Sequence, residues 1–236
     1  MRSSSPRLAL SLVRLLFASV LVAQAGVANA DDPPESVPDA RPWPGFDDVR
    51  VTVMAGLIQP ALLHGWNAEV DVAYRRLVVG YSHGWSLDLR GAAVVGEPHR
   101  QSLEFHVPYT TGFGVGYRIT SWLDVRGELK LHRFEVRDAA SNDELFAYQT
   151  VTLGVGVYAQ WHPFADFGVH VADWLDGFVL VGSVRYWPML WTSLHDDVRR
   201  YENQTTGAEE VHRASQIGMA GTPVIVNVAV GYTFAF

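Results

Sequence analysis

From Val51 onward the chain alternates apolar and polar residues with period two, the repeat made by strands whose faces differ in chemistry. The final segment is the clearest: Val224, Val226, Val228, Val230, Tyr232, Phe234 and Phe236 share one face, and Ile225, Asn227, Ala229, Gly231, Thr233 and Ala235 the other. Leu123, Val125, Leu129 and Leu131 are divided in the same way from Asp124, Arg126, Glu128, Lys130 and His132. Phe113, Val115, Tyr117 and Ile119 oppose Gly112, Gly114, Gly116 and Arg118. Val151, Leu153, Val155 and Val157 oppose Thr152, Gly154, Gly156 and Tyr158, and Ala68, Val70, Val72 and Tyr74 oppose Asn67, Glu69, Asp71 and Ala73. Shorter matches at Val51 to Leu57, Leu77 to Leu89 and Phe178 to Trp191 bring the predicted count to eight strands. Ten is the alternative, if Arg90 to Val107 or Val198 to Ile217 adds a hairpin.

Alternation alone does not say which face looks inward. Three features favour a polar interior. Glycine is concentrated on the polar face, at Gly112, Gly114, Gly116, Gly154, Gly156 and Gly231, where it weakens a solvated strand but leaves room inside a narrow barrel. Aromatic residues sit near strand ends (Trp66, Trp85, Trp122, Trp161, Trp187, Trp191, Tyr232 and Phe236), as membrane-interface girdles do. Connections alternate in length: Tyr74 to Arg76 and Thr120 to Trp122 are tight, whereas Leu57 to Gly65, Leu89 to Pro108, Arg137 to Phe146 and Ser193 to Thr222 are longer. Pro163 to Gly177 is long for the short-turn side, and the spacing of Phe167, Val171 and Trp174 predicts a short amphipathic helix there. The fold class expected is all-β: a transmembrane antiparallel up-and-down barrel over residues 49–236, with both termini on the short-turn side.

The first thirty residues read as a secretory signal. Arg2, Arg7 and Arg14 supply charge, Leu15 to Val22 an apolar core, and Ala28-Asn29-Ala30 a small-residue cleavage site. Cleavage after Ala30 would leave 206 of the 236 residues. It would also shift the net charge from −7 to −10, because three arginines and no acid are removed. Residues 31–48 are expected to form a disordered leader, since five of them are proline. An acidic chain with Lys130 as its one lysine argues against nucleic acid as a partner. Cysteine is absent, which excludes disulfides and thiolate metal sites. No metal or cofactor is expected, because the histidines match no ligand spacing and Asp196-Asp197 lacks the rest of a calcium loop.

The last strand resembles that of the small bacterial outer-membrane β-barrel proteins, whose final strand alternates apolar residues and ends in phenylalanine. The residues that match are Val228, Val230, Tyr232, Phe234 and Phe236. The resemblance implies residence in the outer membrane of a Gram-negative cell, with Tyr232, Phe234 and Phe236 recognised by the barrel-assembly machinery. It also implies outer-membrane lipids and lipopolysaccharide as neighbours.

With the polar face inside, Glu69, Asp71, Asp124 and Glu128 would meet Arg118, Arg126, Lys130 and Arg185 in the lumen. Charges confined so closely must pair. A polar plug is therefore expected, with a narrow pore as the alternative, since eight strands leave a bore that side chains fill. The loop from Ser193 to Thr222 carries mixed charge and is expected to be solvated, binding an extracellular ligand of unknown chemistry or lipopolysaccharide phosphates. The one candidate for catalysis is His83, which register places on the apolar side with Tyr81 and Trp85. In size and in pairing a His with a nearby Ser, the chain resembles lipid A deacylase barrels. Here, though, Ser82 and Ser86 fall on the opposite face and no acid is in register. A non-enzymatic role is the expectation.

Overall fold

The structure, a computed structural model, describes residues 49–89, 103–166, 173–204, 206–216 and 223–236. The secretory signal and leader expected over residues 1–48 lie outside the described residues. In chain order the elements are β1 (Val49–Gly56), α1 (Ile58–Leu62), β2 (Trp66–Tyr74), β3 (Leu77–Asp88), β4 (Leu103–Arg118) and β5 (Leu123–Asp138). There follow β6 (Glu144–Trp161), α2 (Pro163–Asp166), β7 (Phe178–Tyr186), β8 (Met189–Thr192), β9 (Val198–Glu202), β10 (Glu209–Arg213) and β11 (Val224–Ala235).

Eight of these strands close into an antiparallel barrel. Each of β1 to β7 pairs with its sequence neighbour, and β11 bridges β7 and β1. Closure leaves the barrel without an open edge. β8 is a continuation of the β7 path along β6, pairing at Thr150 to Thr152. The ladder breaks between the two at Pro188, which has no N–H to donate. The segment Phe178 to Trp191, expected as one strand, is therefore two.

The long-loop end departs from expectation in several ways. Strands β4, β5 and β6 run 16, 16 and 18 residues, so much of what was expected as loop is sheet. The Arg137 to Phe146 connection shrinks to residues 139–143. There the Asp138 carboxylate accepts the backbone N–H groups of Ala140 and Ser141, both at 2.9 Å. Those bonds hold its pKa below the usual carboxylate range. Leu89 to Pro108 is likewise strand from Leu103 onward, while 90–102 lies outside the described residues. The hairpin weighed over Val198 to Ile217 does form, as β9 and β10. It makes its own two-stranded sheet and adds nothing to the barrel count. At the opposite end, α2 is four residues, Trp174 sits exposed in a 3-10 turn, and 167–172, where Phe167 and Val171 fall, lie outside the described residues.

Along β5 the inward positions keep strict register but change chemistry. Asp124, Arg126, Glu128, Lys130 and His132 point into the barrel and are buried, and so are Phe134, Val136 and Asp138 above them. The outward positions change in the opposite sense, from Val125, Leu129 and Leu131 to Arg133, Glu135 and Arg137. Leu129 is 49% exposed while its neighbour Glu128 is 2% exposed. The barrel is thus apolar outside and charged inside over its lower part, and polar outside with an oily centre at the loop end. That oily centre contains Leu87, Leu103, Phe105, Val107, Phe134, Val136, Phe146 and Tyr148, with Phe134 stacked on Tyr148 at 5.1 Å. A polar interior throughout, the expectation from sequence, holds only for the lower section.

Truncating Phe134 removes the centre of that cluster and leaves a cavity closed off by strands on all sides. The variant Phe134→Ala should lose about 3–5 kcal/mol of stability, read as a lower denaturant midpoint with an unchanged slope.

Candidate functional site

The lower lumen is built from inward positions on six strands. Arg126 on β5 reaches Asp71 on β2, Nη1 to Oδ1 at 2.7 Å, and its Nε donates to Asp124 at 2.5 Å. Arg185 on β7 spans the barrel to Glu69 on β2, its Nη2 donating to both carboxylate oxygens at 2.8 and 3.1 Å. Glu128 is the hub: it accepts the Tyr158 hydroxyl at 2.5 Å and the Trp187 indole N–H at 2.7 Å, and lies 3.5 Å from Lys130. Lys130 also donates to Ser82 on β3. The rings take part as well as the acids. The guanidinium of Arg126 lies 3.9 Å and that of Arg185 4.7 Å from the Tyr158 ring centroid, a cation–π arrangement strengthened by exclusion of water.

Glycine makes room for these groups. A Cβ at Gly80 would collide with the Asp71 carboxylate, one at Gly116 with the Arg126 stem, and one at Gly112 with the Lys130 stem. Each long basic side chain therefore lies across a neighbouring strand that presents no side chain of its own.

All eight charged residues singled out from the sequence line this space and are buried: Glu69, Asp71, Arg118, Asp124, Arg126, Glu128, Lys130 and Arg185. Arg118 sits at the short-turn end, donating to the Arg75 carbonyl at 3.0 Å. Arg50 is a further buried base that the pattern reading missed, because it precedes the first recognised alternating residue. Trp187 was expected in an outer girdle. It is buried inside instead, because it continues the inward parity of Val179, Val181, Ser183 and Arg185. His132 closes the charged section, with Nδ1 2.7 Å from Thr110 Oγ1 and Nε2 3.0 Å from Thr152 Oγ1.

The hairpin of β9 and β10 with its described flanks covers the oily centre above. Tyr201, Asn203, His212 and Ala214 are buried, and the His212 ring packs 5.2–5.7 Å from Phe105, Phe146 and Tyr148. The loop expected to be solvated thus docks one face of its hairpin into the barrel mouth and leaves Arg200, Glu202, Glu209 and Arg213 exposed.

The catalytic candidate His83 lies on the outer face. Its Nδ1 is 3.4 Å from the Tyr81 hydroxyl, which accepts from Thr111 at 3.0 Å. Ser82 points the other way, to Lys130, and two side chains on opposite faces of one strand form no dyad. Ser86, expected on the lumen side, is exposed instead, because its φ of 56° interrupts the alternation. No cluster of three or more potential metal ligands occurs among the described residues. In β11 and the residue after it, Phe234 and Phe236 are exposed, Tyr232 is half-buried, and the intervening Thr233 turns inward to Thr52 at 3.0 Å.

No protein-family model matches the sequence, and none of the curated proteins is detectably similar to it. Solved structures of outer-membrane β-barrel proteins are similar in general fold. The attachment invasion locus protein Ail of Yersinia pestis is 12% identical with a TM-score of 0.36, over 79% of this chain and 97% of that one. A major outer membrane protein from Thermus thermophilus is 15% identical with a TM-score of 0.39, over 79% and 99%. Neisserial surface protein A is 12% identical with a TM-score of 0.32, over 81% and 98%.

Removing one partner of a buried ion pair strands the other. Arg185→Ala should therefore cost about 3–5 kcal/mol, whereas Glu69→Gln combined with Arg185→Gln should cost clearly less than the two single changes added. A double-mutant cycle on denaturant midpoints reads that coupling directly.

Proposed function

We propose that the chain is an integral β-barrel of a bacterial outer membrane, non-enzymatic, with a sealed lumen and a loop-borne head that serves a structural or surface-binding role. The observation that carries this reading is the reversal of faces along single strands. A soluble barrel has no reason to be oily outside for part of its height and polar outside for the rest; a barrel that leaves a bilayer does.

The dimensions fit. Trp66 to Tyr74, Leu77 to Trp85 and Tyr109 to Tyr117 are each nine residues, with an aromatic residue at every end but Leu77, about 27 Å along a strand, and tilted strands need roughly 9–11 residues to cross hydrocarbon. The rows Trp66, Trp85, Tyr109 at one boundary and Tyr74, Leu77, Tyr117 at the other are directly paired across strands, as girdles would be. Over that band closure gives each barrel strand a partner on both sides, the condition for living in oil.

Sealing follows from the lumen. The Arg126, Arg185 and Glu128 network fills the lower section, and the Phe134–Tyr148 cluster with the docked hairpin fills the upper one. The head around that cluster presents Glu104, Glu135, Glu144, Glu202 and Glu209 with Arg137, Arg200 and Arg213, a mixed surface suited to polar partners. The exposed Phe234 of β11 and the Phe236 that follows it suit recognition by an assembly machinery before closure.

Two measurements check the reading. In planar bilayers the purified protein should show no steady conductance, and a stable porin-like current would overturn the sealed lumen. Leu129→Arg should destabilise the folded state by about 2–4 kcal/mol in a bilayer, while Glu135→Arg, three pairs of residues higher on the same strand, should change it little. Equal effects would remove the membrane boundary between them.

A further inference from the structure

One polar cluster stands out within the oily band. On the outward face, Ala68, His83, Thr111, Leu131 and Val151 form a single cross-strand row, directly below the row Trp66, Trp85, Tyr109, Arg133 and Gln149. The lower row therefore places an imidazole and a hydroxyl just inside the aromatic boundary, where polar groups are costly unless hydrogen-bonded and mark functional positions.

The hydrogen bonds within the cluster fix its polarity. Thr111 donates to the Tyr81 hydroxyl at 3.0 Å, so the Tyr81 proton is free to point to His83 Nδ1, 3.4 Å away. Nδ1 is then the acceptor, and the neutral ring carries its proton on Nε2. That Nε2–H meets no acceptor among the described residues, and His83 is only half-buried beside the Trp85 ring at 5.8 Å. A donor aimed out of the barrel at this depth needs an acceptor from outside the protein.

One row higher and two strands across, about 12 Å away backbone to backbone, Arg133 presents a guanidinium whose side chain is 41% exposed, its nearest acid, Glu135, being 3.8 Å off. In the same row as Arg133 stand Tyr109, whose hydroxyl accepts from Gln149 at 3.2 Å, and the exposed indole of Trp85. Below them Phe113, Leu129 and Leu153, paired across strands, form an exposed apolar row. Cation above, donor below and oil beneath is the order met along one amphiphile: phosphate, acyl carbonyl, chain.

We propose that the outward face of β3, β4 and β5 seats one phosphorylated glycolipid of the outer leaflet, with Arg133 holding a phosphate and His83 Nε2–H an acyl carbonyl. The proposal rests on the membrane reading above. It assigns His83 to lipid binding, without chemistry, and gives the loop-borne head a specific lipid anchor at its base.

The test is native mass spectrometry of the protein inserted in phosphatidylcholine nanodiscs and titrated with bis-phosphorylated lipid A. Wild type should retain one lipid A through gas-phase release. The variants Arg133→Gln and His83→Phe, each checked for folding by heat-modifiable gel migration, should retain it about tenfold less, the loss of one charge-assisted or donor contact in a dry site. Dephosphorylated lipid A should be lost from wild type as readily as bis-phosphorylated lipid A from Arg133→Gln. Equal retention by wild type and variants overturns the site, as does retention of no lipid A or a dimer of the protein in its place. A chain that never enters the nanodisc contradicts the membrane reading instead, so the two failures are distinguishable.

Discussion

Charge enclosed inside a barrel whose outer wall is apolar must be neutralised within that wall, and this constraint organises the rest of the barrel. Arg126 and Arg185 both lie against the Tyr158 ring and each reaches a carboxylate on β2, Asp71 and Glu69, across the lumen. Those contacts tie β5 and β7 to β2 through the interior, in directions the backbone ladder does not cover. Glu128, held by Tyr158 and Trp187, prevents the cations from facing one another without an acid between them. Because such groups are worth most when fully paired and cost most when one is removed, the lumen specifies one register and one closure.

The same strands then do a second job. Above His132 the inward positions become Phe134, Val136, Phe146 and Tyr148, and the barrel holds itself together as a water-soluble sheet protein does, by burying apolar surface at its centre. The hairpin of β9 and β10 completes that core by lowering Tyr201 and His212 into it. A rigid head is the consequence: the barrel mouth and the longest loop share one core, so residues exposed on the hairpin are presented from a fixed support.

Much of this was legible in the sequence, and the part that was not has a physical reason. Strands β2 and β11 and the lower half of β5 read directly, because each face keeps one chemistry for its whole length. The inward placement of Glu69, Asp71, Asp124 and Lys130 follows from parity once the glycine-rich face is turned inside. The upper halves of β4, β5 and β6 did not read as strand. Arg133, Phe134, Glu135, Val136 and Arg137 alternate as strictly as the residues below them, but the apolar member has changed face, so a search for one oily face stops at Leu131. The unbroken parity from Asp124 to Asp138 was the available signal. Ser86 was misplaced because a left-handed residue resets the alternation locally, whereas Trp187 keeps the inward parity of β7 and was misplaced because its aromatic ring suggested a girdle. The His83 cluster joins three strands through a register that only pairing reveals.

The reversal of faces is tested most directly by spin-label accessibility along β5. The chain contains no cysteine, so Val125→Cys, Leu129→Cys, Arg133→Cys and Arg137→Cys each give a single labelling site on the outward face. In lipid bilayers, labels at 125 and 129 should be relaxed by oxygen and shielded from a water-soluble nickel chelate, the label at 137 should show the reverse, and 133 should mark the crossing. A label at 129 that relaxes in the nickel chelate as strongly as one at 137 would contradict it.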